Sequence, residues 1–188
     1  MKNWMKAVIG VVVVLALIAI PFITSYNSLV NAESAVDSQW ANVESKLQRR
    51  YDLIPNLVNS VKGSMTQEKE VFGAIADARS KLSGAKTVDD KVKANNELES
   101  AVSRLLVVVE NYPDLKSNQN VQGLMDELAG TENRISVERD RYNKAVQTYN
   151  NKVKRFPGSI IANMTGFEPQ AFFTAVDGAD KAPSVNFD

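Results

Sequence analysis

Apolar positions fall in two regimes along this chain. Residues Ala7–Ile23 are apolar at every position, and no charge occurs from there until Glu33. From Tyr26 onward the apolar positions recur every seven residues instead. One seam runs Tyr26, Glu33, Trp40, Leu47, Ile54, Val61, and its companion runs Leu29, Val36, Val43, Arg50, Leu57. That a/d spacing predicts a long amphipathic helix beginning directly behind the apolar run. Pro55 is expected to kink this helix or to end its regular part near Ile54.

Three further amphipathic segments follow. Gly63-Ser64 punctuates the chain, and Ser64 with Glu68 reads as a helix start for the seam Met65, Glu68, Phe72, Ile75, Arg79, Leu82, closed by Ser83-Gly84. Thr87 before Asp89 and Asp90 fits a helix N-terminus, because acidic groups favour the positive end of the helix dipole. That helix carries Leu98, Val102, Leu105, Val109 and Tyr112, and Pro113 stops it. Asn118 or Asn120 caps the fourth. Its seam is Val121, Leu128, Ile135, Tyr142, Tyr149, Phe156, widened by Met125, Val146 and Val153, and Pro157-Gly158 ends it. Ser159–Met164 reads as a short apolar turn or helix. No stretch shows strand alternation. The predicted fold is all-α: an N-terminal transmembrane helix (residues 1–25) continuing into an elongated antiparallel up-down four-helix bundle (26–166). A C-terminal apolar patch and polar tail follow (167–188).

The apolar run is 17 residues long, about 25 Å as a helix, near the lower limit for crossing ~30 Å of hydrocarbon. Uncharged Thr24–Asn27 extend it. A cleaved signal peptide is the competing reading, with Lys2 and Lys6 as its basic end. The run exceeds the usual apolar core of such a peptide, and no small-x-small cleavage pattern follows. The retained anchor is favoured. Lys2 and Lys6 are the only charges before the span, and the first charges behind it are Glu33 and Asp37. This asymmetry places the N-terminus in the cytoplasm and the body outside.

Composition then narrows the chemistry. The chain has 188 residues with 22 Lys and Arg against 22 Asp and Glu. Such a balance exerts no general pull on nucleic acid. Cysteine and histidine are both absent, which excludes disulfides, thiol catalysis, thiolate metal sites and Ser-His triads. Gly84-Ala85-Lys86-Thr87 lacks the leading glycine and preceding strand of a phosphate loop. No catalytic, metal or cofactor site is expected.

Several blocks resemble the LemA family of bacterial membrane proteins: Tyr26-Asn27-Ser28-Leu29-Val30, the run from Arg49 to Val58, and Tyr112-Pro113-Asp114-Leu115-Lys116. So do Thr131-Glu132-Asn133-Arg134-Ile135, Arg141-Tyr142-Asn143, Tyr149-Asn150, Phe156-Pro157 and Gly166-Phe167. They stand in order from about Tyr26 to Phe173. The resemblance implies a single-pass anchor with a helical body in the bacterial inner membrane, and brings no catalytic residues. Some members of the family are tied to membrane organisation or sit beside membrane proteases.

The residues that stand out are charges on core-type positions: Glu33 and Arg50 on the first helix, Glu68 and Arg79 on the second, and Glu132 and Arg139 flanking the fourth. Counting from the turn near Gly63 brings Arg50, Arg79, Glu99 and Glu132 to a similar depth. An Arg50–Glu132 pair with Arg79 nearby is expected, because an unpaired buried charge costs several kcal/mol. The alternative is that these side chains reach water from the seam edge, and a lesser one is that they hold an anionic group. Phe167, Phe172 and Phe173 are expected either to close the end of the bundle or to serve as assembly contacts. The leading functional reading is a non-enzymatic scaffold or adaptor, a homo-oligomer at membrane lipid. The second is an accessory or substrate-presenting subunit of a membrane protease, transporter or other envelope protein. A hydrolase is a remote third.

Overall fold

The computed structural model describes residues 2–174. The tail expected from Gly178 onward lies outside them. Six helices occur among the described residues: α1 (Lys2–Val61), α2 (Lys69–Gly84), α3 (Val88–Val109), α4 (Pro113–Lys116), α5 (Gln119–Lys154) and α6 (Gly158–Thr165). No strand is found among them. Four are long, at the predicted places, and two are short. The chain divides into two compact units. The first takes residues 1–41 and 140–172, and the second takes 42–139 with the segment from Phe173.

In the first unit, α1 passes from the apolar run into the heptad region without a break. Among the described residues most side chains of the run stand exposed: Leu15, Leu17, Ile18 and Ile20 are all at least 60% exposed. After Pro21, the Thr24 hydroxyl donates to the carbonyls of Ile20 and Pro21 at 2.9 and 3.1 Å. Burial begins at Leu29, Ala32 and Val36. The covering helix is the C-terminal part of α5, running antiparallel. Trp40 packs on Tyr142 with ring centroids 5.4 Å apart, and Lys152 Nζ donates to Ser28 Oγ at 2.7 Å.

Behind α5 the backbone reverses tightly. Gly158 is required there, since a Cβ would stand 2.2 Å from the Lys152 carbonyl oxygen. Gly166, at φ 81°, ends α6 in the left-handed region that glycine tolerates. The chain then returns along the helix pair. Tyr26 meets Phe167 at 5.8 Å between centroids. The Asn150 amide donates to the Gln170 carbonyl and accepts from the Gln170 N–H, both at 2.8 Å. These two bonds satisfy the backbone of a segment that has no helix or sheet partner of its own.

In the second unit, α1 from Asn42, α2, α3 and the first part of α5 each contribute to one core. Ile54, Leu57 and Val61 meet Ile75, Leu98, Val102, Leu105, Val121 and Leu128 there. Thr87 caps α3, its Oγ1 accepting from the Asp90 N–H at 3.1 Å. Asn118 caps α5 by accepting from the Asn120 N–H at 2.9 Å.

The structure corrects two expectations, the start of the second helix and the place of Phe156, and details two others. Of the two outcomes expected at Pro55, a kink or an end, the end does not occur: α1 continues to Val61. Burial of Ile54, Leu57 and Val61 on either side of the proline outweighs the one hydrogen bond it removes. The second helix starts at Lys69 rather than Ser64, and Glu68 lies just ahead of it, accepting from the Tyr112 hydroxyl at 3.3 Å. The third helix ends at Val109, ahead of Pro113 as expected, and Pro113 itself opens the one-turn helix α4 at a position where its missing N–H has no intrahelical partner to lose. Phe156 falls beyond the end of α5 and is 80% exposed instead of continuing the core seam.

The Gly158→Ala variant should lose about 1–3 kcal/mol of stability, as overpacked sites typically do, because the obstacle is backbone that cannot rotate away. Thermal unfolding of the detergent-solubilised chain against the parent measures this.

Candidate functional site: a buried arginine between three helices

The second unit holds a polar cluster inside its helical core. Among the described residues Arg50 is the one fully buried charged side chain, at 2% exposure. It occupies the α1 seam between Val43 and Leu57, so the packing that buries those residues carries the guanidinium inward with them. Its Nη1 donates to Glu132 Oε2 on α5 at 2.5 Å. Its Nη2 donates to the side-chain oxygen of Asn95 on α3. Glu99, one turn further along α3, places a carboxylate oxygen 3.8 Å from Nη1. One cation thereby ties α1 to α3 and to α5.

Of the four residues expected in this layer, the structure brings together Arg50, Glu99 and Glu132. Arg79 is placed differently: its guanidinium carbon lies 4.3 Å from the centroid of the Tyr51 ring, a cation–π contact. The planar group finds favourable electrostatics on the aromatic face next door, so burial does not force it towards the carboxylates.

Asn95 was not anticipated, although its spacing exposes it afterwards. It stands seven residues before Val102 and fourteen before Val109, on the seam that buries them, and is itself 0% exposed. A neutral amide at a core position of a helix is a signal of the same kind as Arg50.

The two carboxylates differ in environment. Burial, and next the Glu132 carboxylate, push the Glu99 carboxyl above its usual range, while Arg50 and Arg139 oppose that shift. A single guanidinium shared by two acids cannot fully offset their mutual repulsion. Glu99 and Glu132 keep 30% and 38% of their side chains exposed, so water reaches the far side of the pair. A cleft of about 320 Å³ opens there, between Glu99, Leu106, Ala129 and Glu132. Among the described residues no three Asp or Glu side chains converge as metal ligands. The arrangement supplies fixed charge and directional hydrogen bonds between helices.

Around the cluster, further pairs join α1 to α5, α3 to α1 and α2 to α3. Arg49 meets Glu127 at 2.6 Å, Lys91 pairs with Glu44, and Lys81 meets Glu97 at 2.6 Å. At such exposure solvent screens each pair strongly, and they record the helix register more than they set it.

The three phenylalanines separate. In the first unit Phe167 is half-buried against Tyr26, and Phe172 remains 47% exposed. In the second unit Phe173 is buried at 3%, with the Arg139 guanidinium 4.4 Å from its ring centroid. Phe167 and Phe173 therefore close the fold locally, leaving Phe172 as the exposed aromatic of the three.

Elsewhere in the first unit, Tyr149 is fully buried on the α5 seam. Burial first, and then the Glu33 carboxylate facing it, push its phenol up to about 12. This accounts for Glu33 on a core-type position: it lies half-buried beside a phenol.

Two outcomes follow from this geometry. Arg50→Ala should destabilise the chain by about 3 kcal/mol, the low end for breaking a buried pair, because both acids left behind retain access to water; thermal unfolding reads the loss. The raised carboxyl of Glu99 means that the folded chain holds this proton more tightly than the unfolded chain. Stability therefore falls as pH rises from the ordinary carboxylate value of 4.5 through the folded value. Glu99→Gln should flatten that fall, measured as melting temperature against pH.

Comparison with known proteins agrees with this architecture. Residues 39–187 match the LemA family. Magnetosome protein MamQ 2 of Paramagnetospirillum magneticum is 27% identical over 202 residues, covering 92% of this chain and 73% of the relative. MamQ of Magnetospirillum gryphiswaldense is 26% identical, covering 85% of this chain and 69% of its own length. Protein LemA of Metamycoplasma hominis is 24% identical over 151 residues, covering 79% of this chain and 68% of the relative. With a match across most of its length, and with an all-helical body behind one apolar helix, this chain belongs to the LemA family.

Proposed function

We propose that the chain is a single-pass membrane protein whose helical body is a non-enzymatic scaffold or adaptor that self-assembles at the membrane surface. The observation that carries this reading is the continuity of α1. A helix whose apolar side chains find no protein partner over residues 7–23 passes directly into a helix whose stripe is buried. The run has the length and composition to cross a bilayer. Twelve of its residues are Val, Ile, Leu or Phe, and at roughly −0.3 to −0.6 kcal/mol each insertion is favourable by several kcal/mol. A helical junction transmits orientation, whereas a flexible linker does not.

In this reading the second unit is an up-down four-helix bundle whose Arg50 cluster sets helix register. Buried ionic groups are better suited to specifying an arrangement than to adding stability. The membrane is the bacterial inner membrane, with the N-terminus in the cytoplasm and the body outside. The names of the related proteins refer to a magnetosome and to no reaction, and the site offers charge without a histidine or cysteine to act as base or nucleophile.

Detergent-extracted full-length protein should sediment and scatter light as a multiple of the single chain. A Gly-Ser insert after Ser25 should disturb that assembly while leaving membrane insertion intact. A strictly monomeric parent protein at all concentrations would overturn the scaffold reading.

A further inference from the structure

The end of the first unit next to the anchor carries an apolar surface that the fold leaves uncovered. Phe156, Ile160 and Met164 are 80%, 52% and 69% exposed. Ile160 and Met164 are four residues apart on α6, the spacing that aligns side chains along one side of a helix, and Phe156 lies in the turn that leads into it. The opposite side of α6 is also apolar: Gly158, Ile161 and Ala162 are buried there. A helix that is apolar on both faces suits either a protein interior or a lipid environment, and only one face of α6 has protein against it.

Two observations indicate what meets the other face. The first is position. Phe156 and Gly158 line the same cleft as Ser25 and Ser28 of α1. Ser25 stands two residues after the end of the apolar run, about 3 Å along the helix axis. The second is charge. Between Asp140 and Glu168 the sequence contains no Asp or Glu but five basic residues: Arg141, Lys144, Lys152, Lys154 and Arg155. Lys152 is engaged with Ser28, whereas Lys154 and Arg155 are exposed directly ahead of Phe156.

We infer that Phe156, Ile160 and Met164 form a second membrane contact, lying in the headgroup–acyl boundary of an anionic phospholipid bilayer beside the anchor, with Lys154 and Arg155 against the lipid phosphates. Apolar side chains next to exposed basic ones are the composition of helices that lie in this boundary, and basic residues near the surface add to the attraction of anionic lipid. Together with the anchor, such a contact would hold the first unit at two points and restrict its tilt and rotation. The inference rests on the membrane reading above.

The absence of cysteine allows single fluorescent labels on the full chain. Ile160→Cys and Met164→Cys carry the test, Leu15→Cys reports the bilayer interior, and Gln147→Cys reports water. Each variant is reconstituted into vesicles of phosphatidylcholine with phosphatidylglycerol that contain a nitroxide-bearing lipid quencher. The expected result is loss of fluorescence at 160 and 164 approaching that at 15, with 147 unquenched. In vesicles of phosphatidylcholine alone, quenching at 160 and 164 should fall while that at 15 persists. The double variant Lys154→Glu, Arg155→Glu should have the same effect in the mixed vesicles. Labels at 160 and 164 as unquenched as 147, with 15 quenched, would overturn the lipid contact and leave the anchor standing. Self-quenching between copies at 160 without lipid quenching would overturn it in favour of a chain–chain interface. Equal quenching in both vesicle types would overturn the role of anionic lipid. An unquenched label at 15 would instead overturn the membrane reading on which the inference depends.

Discussion

A single helix, α1, has to satisfy two surroundings. Over residues 7–23 it is apolar on every side, and its side chains are mostly exposed among the described residues. From Leu29 its apolar positions narrow to a stripe that must be removed from water. At roughly 25 cal/mol per Å² of apolar surface, leaving the stripe exposed would cost far more than a small protein's net stability. The remaining helices can be read as cover for it. In the first unit α5 and the returning segment after α6 provide the cover, and in the second unit α2, α3 and α5 do so. Because the seam repeats every seven residues, each covering helix meets α1 through the same kind of position, and polar residues on that seam are carried inward whether or not they suit burial.

Arg50 shows the consequence. Its neighbours on the seam leave it no route to solvent, so the partner helices must supply polar groups. Glu132 and Asn95 do so directly, and Glu99 does so at longer range. Directional bonds of this kind tolerate little sliding: displacing α5 by one heptad against α1 would bring apolar positions back opposite apolar positions but separate Arg50 from Glu132. The second unit therefore combines an apolar core with one directional polar cluster inside it. The first unit has no buried charge on its seam. It relies instead on the Trp40–Tyr142 contact and on the Asn150 amide, which holds the returning strand-like segment by its backbone.

The same division of labour shows in where charged and apolar side chains lie. Among the described residues the one enclosed charge, Arg50, is spent on Glu132 and Glu99, and the first unit leaves Phe156, Ile160 and Met164 exposed.

Much of this was legible from residue spacing alone. The apolar run, the start of the heptads, the caps at Thr87 and Asn118, the stops near Gly84 and Pro157, and the pairing of Arg50 with Glu132 all depend on local periodicity or on the cost of an isolated buried charge. Other features depended on what packs against what. Pro55 lies inside a helix because buried neighbours on both sides outweigh its local preference. Arg79 turned to Tyr51, an aromatic face that no linear pattern announces. Phe156 left its seam because the backbone reverses at Gly158, and the three phenylalanines acquired different burial from their positions along the returning segment. Sequence by itself determined which positions must leave water and which helices they form, since side-chain period and helix geometry are local properties. Tertiary structure decided which polar group satisfies which, and which apolar groups stay exposed, because those outcomes depend on distances between segments far apart in the chain.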